Sequence, residues 1–86
     1  MKLRVWWIPQ VPMKPFFVSV ESIKEARKIL DTLAKYDLFQ LENKIKPNYT
    51  NAGSLEVYDE TTKKWVEWIC DICGEDIDNC ECEEVK

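Results

Sequence analysis

Four cysteines, Cys70, Cys73, Cys80 and Cys82, fall within the last seventeen residues, and the chain contains no histidine. Arranged as Cys70-Asp71-Ile72-Cys73-Gly74 and then Cys80-Glu81-Cys82, they read as a tetrathiolate metal site. A C-x2-C-G turn presents two sulfurs from one tight knuckle, its glycine lets the backbone curl beneath the ion, and Zn2+ accepts four cysteine sulfurs as a tetrahedron. The C-x-C pair completes the sphere with a tight bite, which leaves iron or a loosely held metal open beside structural zinc. Disulfides are the main rival. No charged-then-apolar leader precedes Trp6, so an oxidising compartment is not expected. A redox dithiol fits less well, because C-x-x-C catalysis usually sits where a helix begins beside a strand, whereas this pair follows a tryptophan-rich strand and enters an acidic tail.

Other chemistry is hard to build from this chain. Without histidine there is no ready base for a nucleophile, and of the three serines, Ser19, Ser22 and Ser54, one is claimed as a helix cap. Two glycines, Gly53 and Gly74, cannot make a phosphate-cradling loop. Paired carboxylates occur only in charged stretches, which are ordinarily solvated faces. The expectation is a binder, not an enzyme.

Eighty-six residues suffice for one small core, where a structural metal supplies folding energy that burial lacks. The formal charge of -4 is unevenly spread: residues 1–69 carry eleven Lys and Arg against nine acids, whereas residues 70–86 carry seven acids and one lysine. Four thiolates around Zn2+ would add further negative charge, so neither nucleic acid nor an anionic membrane is an expected partner. No apolar run approaches the roughly 18 residues that span a bilayer, and a soluble, cytoplasmic protein without membrane insertion is expected.

The elements that must position these groups are legible. Leu3 to Ile8 reads as a central strand with Leu3, Val5 and Trp7 on one face, and Phe16 to Val20 as a second strand. Between them Pro9, Pro12 and Pro15 make a stiff loop. Ser22-Ile23-Lys24-Glu25 is a capping box in which the Glu25 side chain returns to the N–H of residue 22. From it a helix runs to about Tyr36, with Ile23, Ala26, Leu30, Leu33, Ala34 and Leu38 on its apolar stripe and residues 37–42 forming a last turn or a short second helix. An irregular segment follows from Ile45 to Ser54, where Gly53 or Asn51 is expected to take positive φ. Leu55 to Tyr58 and Lys64 to Ile69 form a hairpin. The fold class is α+β: ββαββ, a mostly antiparallel sheet with one main helix across one face, as a domain over residues 1–69, followed by an acidic tail over residues 70–86 that forms a four-cysteine metal knuckle.

Trp6, Trp7, Trp65 and Trp68 cannot all be fully buried in so small a domain, since each needs roughly 150 Å2 or more of cover. At least one should line a pocket or an interface. Fixed polar groups stand beside these rings in the prolyl loop and in the segment 46–51.

Three blocks carry a resemblance: Trp6-Trp7-Ile8-Pro9-Gln10-Val11-Pro12-Met13-Lys14-Pro15-Phe16, then Tyr36-Asp37-Leu38-Phe39-Gln40-Leu41-Glu42-Asn43, then Ile45-Lys46-Pro47-Asn48-Tyr49-Thr50-Asn51-Ala52-Gly53. Together they resemble the signature of small bacteriophage superinfection exclusion proteins. The resemblance implies a phage or prophage product that makes the infected cell less permissive to a second phage. It spans about residues 1–69, so the cysteine tail reads as an addition whose metal stabilises.

The sequence therefore points to a non-enzymatic phage accessory protein that binds a cytoplasmic host or phage partner through Trp6, Trp7, Gln10, Lys14, Gln40, Asn43, Lys46, Tyr49 and Asn51. Tyrosine and tryptophan would anchor, and Lys14 and Lys46 would pair with an anionic group. A small nucleotide-like ligand is one variant of this reading. In the alternative, the chain is a zinc-stabilised protein–protein interaction module whose knuckle makes the contact through Ile72 and Ile77. Surplus tryptophan surface is readily buried between subunits, which makes a homodimer a further expectation.

Overall fold

A computed structural model describes residues 1–82. It contains strands β1 (Leu3–Ile8) and β2 (Phe16–Val20), helix α1 (Ile23–Glu42), and strands β3 (Ala52–Asp59) and β4 (Lys64–Glu67). The strands form one antiparallel sheet in the order β2-β1-β3-β4. The fold is α+β, and β1, apolar on both faces, lies inside the sheet.

Side chains alternate across a strand, so the register assigns the two faces. Leu3, Val5 and Trp7 of β1 share one face with Val20, Val18 and Phe16 of β2 and with Val57, Leu55 and Gly53 of β3. Helix α1 covers this face with Ile23, Ala26 and Leu30, and Trp68, Cys70, Ile77 and Cys80 belong to the same core. The cysteine segment is thus packed into the domain rather than appended to it. The opposite face, bearing Arg4, Trp6, Phe17, Tyr58 and Trp65, has no helix over it among the described residues.

Local chemistry explains the helix ends. Ser22 Oγ accepts from the Glu25 N–H at 3.0 Å. The returning Glu25 carboxylate takes the N–H of Glu21 at 2.6 Å, one residue earlier than a capping box predicts. At the other end α1 runs unbroken through residues 37–42 instead of stopping near Tyr36. The terminator comes later: Asn43 caps, Lys44 adopts φ 60°, and the N–H groups of Lys44 and Ile45 bond to the carbonyls of Leu41 and Gln40 at 3.0 and 2.8 Å. That is a Schellman closure with lysine in the left-handed position usually held by glycine.

Neither Gly53 nor Asn51 takes positive φ; among the described residues Lys44, Lys63 and Gly74 do. Gly53 is needed for space. It lies in β3 directly opposite Trp7, where a β-carbon would stand 2.1 Å from Trp7 Cε3 and 2.8 Å from the Trp6 carbonyl oxygen. Gly53→Ala is expected to displace the buried Trp7 indole and destabilise by at least about 1–3 kcal/mol, the usual cost of overpacking. Urea unfolding monitored by tryptophan fluorescence checks this, and an unchanged midpoint would contradict the packing described.

Candidate functional site

Two assemblies of functional groups flank α1, one near each end. The first is the cysteine cluster. Gly74, at φ 72°, donates its N–H to the Cys70 carbonyl at 2.9 Å, and the Cys70 N–H reaches Glu75 O at 2.9 Å, closing the knuckle that carries Cys70 and Cys73. A second turn delivers Cys80: its N–H bonds to Asp76 O at 2.8 Å, and the Asp76 carboxylate accepts from the Asn79 N–H at 3.0 Å. The four sulfurs of Cys70, Cys73, Cys80 and Cys82 all lie within 4.8 Å of one another, with Cys70 and Cys82 3.9 Å apart. A tetrahedral ion with sulfurs at about 2.3 Å places them roughly 3.8 Å apart, whereas a disulfide requires about 2.05 Å. All four are free thiols, and their arrangement can hold a metal ion.

The electrostatics fit the same use. Backbone N–H donation from Cys73, followed by that from Ile72, holds the Cys70 thiol down to about 7, while burial pushes the Cys82 thiol up to about 12. Sulfurs so unequal become four thiolates together only when a cation takes their charge. Arg27 of α1 supports the cluster from outside, with Nη2 donating to Cys80 Sγ at 3.3 Å and Nη1 to Cys80 O at 3.0 Å.

The second assembly surrounds Asp37. Its side chain projects from α1 into the interior with only 2% of its surface exposed. Oδ2 accepts from Trp7 Nε1 and from Asn51 Nδ2, each at 3.0 Å, and Oδ1 faces Lys46 Nζ at 3.5 Å. The Lys46 ammonium also donates to the Pro9 carbonyl. Further out, Gln10 Nε2 donates to Asn48 Oδ1 at 2.7 Å and to Thr50 Oγ1, Val11 N–H bonds to Thr50 O at 2.8 Å, and Tyr49 Oη donates to Ala34 O at 3.2 Å. The three blocks that carry the sequence resemblance are therefore three arms of one buried polar network, contributing Trp7, Asp37, and the pair Lys46 and Asn51.

The structure thus brings together five of the nine docking candidates, Trp7, Gln10, Lys46, Tyr49 and Asn51, around internal partners. Asn43 is the helix cap, its Nδ2 donating to Phe39 O at 2.8 Å. Gln40 is half-buried, Lys14 is exposed, and Trp6 is half-buried on the uncovered sheet face. Ile77, expected at the knuckle surface, is buried in the core, while Ile72 is 73% exposed.

Two central residues escape the sequence reading. Asp37 falls on the helical stripe of Ile23, Ala26, Leu30 and Ala34, where an acid among apolar positions signals a buried partner; Leu38, placed on that stripe instead, is exposed. The other is Arg27. The chain has only two arginines among its twelve cations, and both occupy multidentate positions that lysine fills poorly. Arg4 is the second. Its guanidinium stacks between the Phe17 ring at 4.0 Å and the Trp65 ring at 4.2 Å, and its Nε bonds to Glu56 at 2.8 Å. Tyr58 meets Trp65 edge-on at 5.3 Å and lies under Lys2 Nζ, so a cationic and aromatic row crosses the open face.

These features define a small α+β domain whose helix α1 is fastened by a cysteine cluster near one end and a buried ion-pair network near the other. The chain belongs to the superinfection exclusion gene product 17 family, whose sequence model matches residues 2–85. The match runs through the cysteine segment, past the point near residue 69 where the sequence resemblance ends. A superinfection exclusion protein of Salmonella phage P22 is 48% identical, over 79% of this chain and 77% of its own length. No solved structure matches. Among the described residues no helix is long and apolar enough to cross a membrane.

Proposed function

We propose that the protein is a non-enzymatic phage or prophage factor that acts in superinfection exclusion by docking the open face of its sheet onto a host or phage protein in the cytoplasm, with zinc in the cysteine cluster holding the domain together. The observation that carries this reading is Arg4 stacked between Phe17 and Trp65 on a face that no other element covers among the described residues. Tryptophan, tyrosine and arginine are the residue types that dominate binding energy at protein interfaces, and here all three are pre-positioned, which lowers the ordering cost of association. Trp6 belongs to the same face. A nucleotide-like ligand is less well supported, because the ammonium of Lys46 and the amide of Asn51, which would hold it, are turned onto Asp37.

The exposed tip of the knuckle favours a second reading, in which Ile72 makes the contact. Bacteria producing the wild-type chain should plate an infecting phage poorly. The double variant Arg4→Ala/Trp65→Ala should restore plating by at least tenfold with metal content and melting temperature little changed, while Ile72→Asp should leave exclusion intact. The reverse pattern would move the contact to the knuckle. Exclusion that survives both changes would sink both readings.

A further inference from the structure

The sheet has two edges, and they are protected differently. Strand β4 is four residues long and carries Lys64 and Glu67 at its ends. Such charges and such brevity discourage pairing with another strand. Strand β2, at the other edge, reads Phe16-Phe17-Val18-Ser19-Val20. It holds no charge and no proline, and its register with β1 is unbroken from Val20 opposite Leu3 to Phe16 opposite Trp7, so no bulge twists it away. Phe16 and Phe17 are exposed on opposite faces. An edge of this kind offers a row of backbone donors and acceptors flanked by apolar side chains.

We infer that β2 pairs antiparallel with β2 of a second copy of this chain, about a two-fold axis perpendicular to the sheet at Val18, so that two domains share one eight-stranded sheet. A perpendicular axis keeps equivalent faces together, which requires one residue to meet its own copy. Centred on Val18, the register sets Phe16 against the partner's Val20 and Phe17 against the partner's Ser19, with the two Phe17 rings diagonal to one another and within reach. Centred on Phe17, it would instead set Lys14 against the apolar Val20. The Val18 register also gives each end of the ribbon one Lys14 and one Glu21 from opposite copies, and neither side chain has an ion-pair partner among the described residues. The pairing is isologous and closes at two copies. It stands independently of the proposed docking role, because it is read by mass and not by exclusion.

Sedimentation equilibrium of the metal-loaded full chain at tens of micromolar should give twice the chain mass. Val18→Lys, which opposes two ammonium groups across the axis, should reduce it to one chain mass. Ser19→Glu, on an exposed position that the fold does not need, should weaken association at least tenfold with the melting temperature nearly kept, and decides the matter if Val18→Lys fails to fold. Val66→Lys on β4 should leave the dimer intact. A wild-type monomer, including one that instead binds an extended peptide, would overturn the proposal, as would a dimer indifferent to Ser19→Glu.

Discussion

Cys80→Ser is expected to abolish stoichiometric metal binding and to destabilise the domain by on the order of 5 kcal/mol, equivalent at this length to a fall in melting temperature of roughly 20 °C or more. The size follows from where the sulfur sits. Cys80 is buried in the core shared by Ile23, Ala26 and Ile77, and both its sulfur and its carbonyl are held by Arg27. If an ion is held there, losing it would leave the three remaining sulfurs as unligated thiols, and the two turns that bring Cys70, Ile77 and Cys80 into the core would lose their common anchor. In small metal domains the binding free energy is largely folding free energy, so the loss cannot be confined to the tail. A chelator acting on the wild-type chain should reproduce the effect. Acidification should act in the same direction, because protons compete with the metal for the same thiolates. Native mass spectrometry reports the ion, and thermal melts followed by circular dichroism report the cost. Metal-free protein isolated with an unaltered melting temperature, or with its sulfurs oxidised in pairs, would remove the metal from the account of this fold.

What the sequence reveals and what it conceals divide along physical lines. Strand β1 is legible because alternation puts Leu3, Val5 and Trp7 on one face, and the start of α1 because Ser22 and Glu25 act within a single turn. The cysteine cluster is legible because C-x2-C-G closes on itself through the bonds of Gly74 and Glu75 with Cys70. Each is a local device. The end of α1 is obscured because its Schellman closure uses Lys44 where glycine is the usual marker. Gly53 misleads in the opposite sense: read as a turn residue, it serves a contact with Trp7, more than forty residues away in sequence. The docking candidates illustrate the same limit. Trp7, Lys46 and Asn51 do lie together in space, but what they face is a carboxylate of the same chain, and no spacing rule reveals that a polar cluster is turned inward.

The two assemblies also divide the labour of holding α1. In the first half of the helix Arg27 binds Cys80, and Ile23 and Ala26 share one core with the cysteine segment, while Asp37 fixes the second half to β1 and to the segment before β3. Among the described residues the sheet side that faces away from the helix is left free, with Arg4, Phe17, Tyr58 and Trp65 held in place by neighbours on adjacent strands. A domain of this size can leave one face uncovered because the packed cysteine segment and the polar staple at Asp37 supplement its limited apolar core.

The largest effect outside the cysteine cluster is expected at Asp37. Asp37→Ala removes the acceptor of Trp7 Nε1 and Asn51 Nδ2 and leaves the Lys46 ammonium, whose side chain is only 8% exposed, beside the Pro9 carbonyl without its counter-charge. Breaking a buried pair from one side typically costs about 3–5 kcal/mol, because the surviving charge is stranded in a poor solvent. Replacing both members with apolar groups of similar shape strands nothing. Asp37→Leu/Lys46→Met should therefore recover a large part of the loss seen in Asp37→Leu alone, despite carrying one substitution more. Denaturant unfolding of the two single variants, the double and the wild type closes the cycle, and the coupling should exceed about 1 kcal/mol, as expected for contacting charges. Additive costs would show instead that the indole and amide donors, not the ion pair, depend on Asp37. A cost below about 1 kcal/mol for Asp37→Ala, well under the usual loss on breaking a buried pair, would mean that the three blocks of the family signature are not held together by this carboxylate.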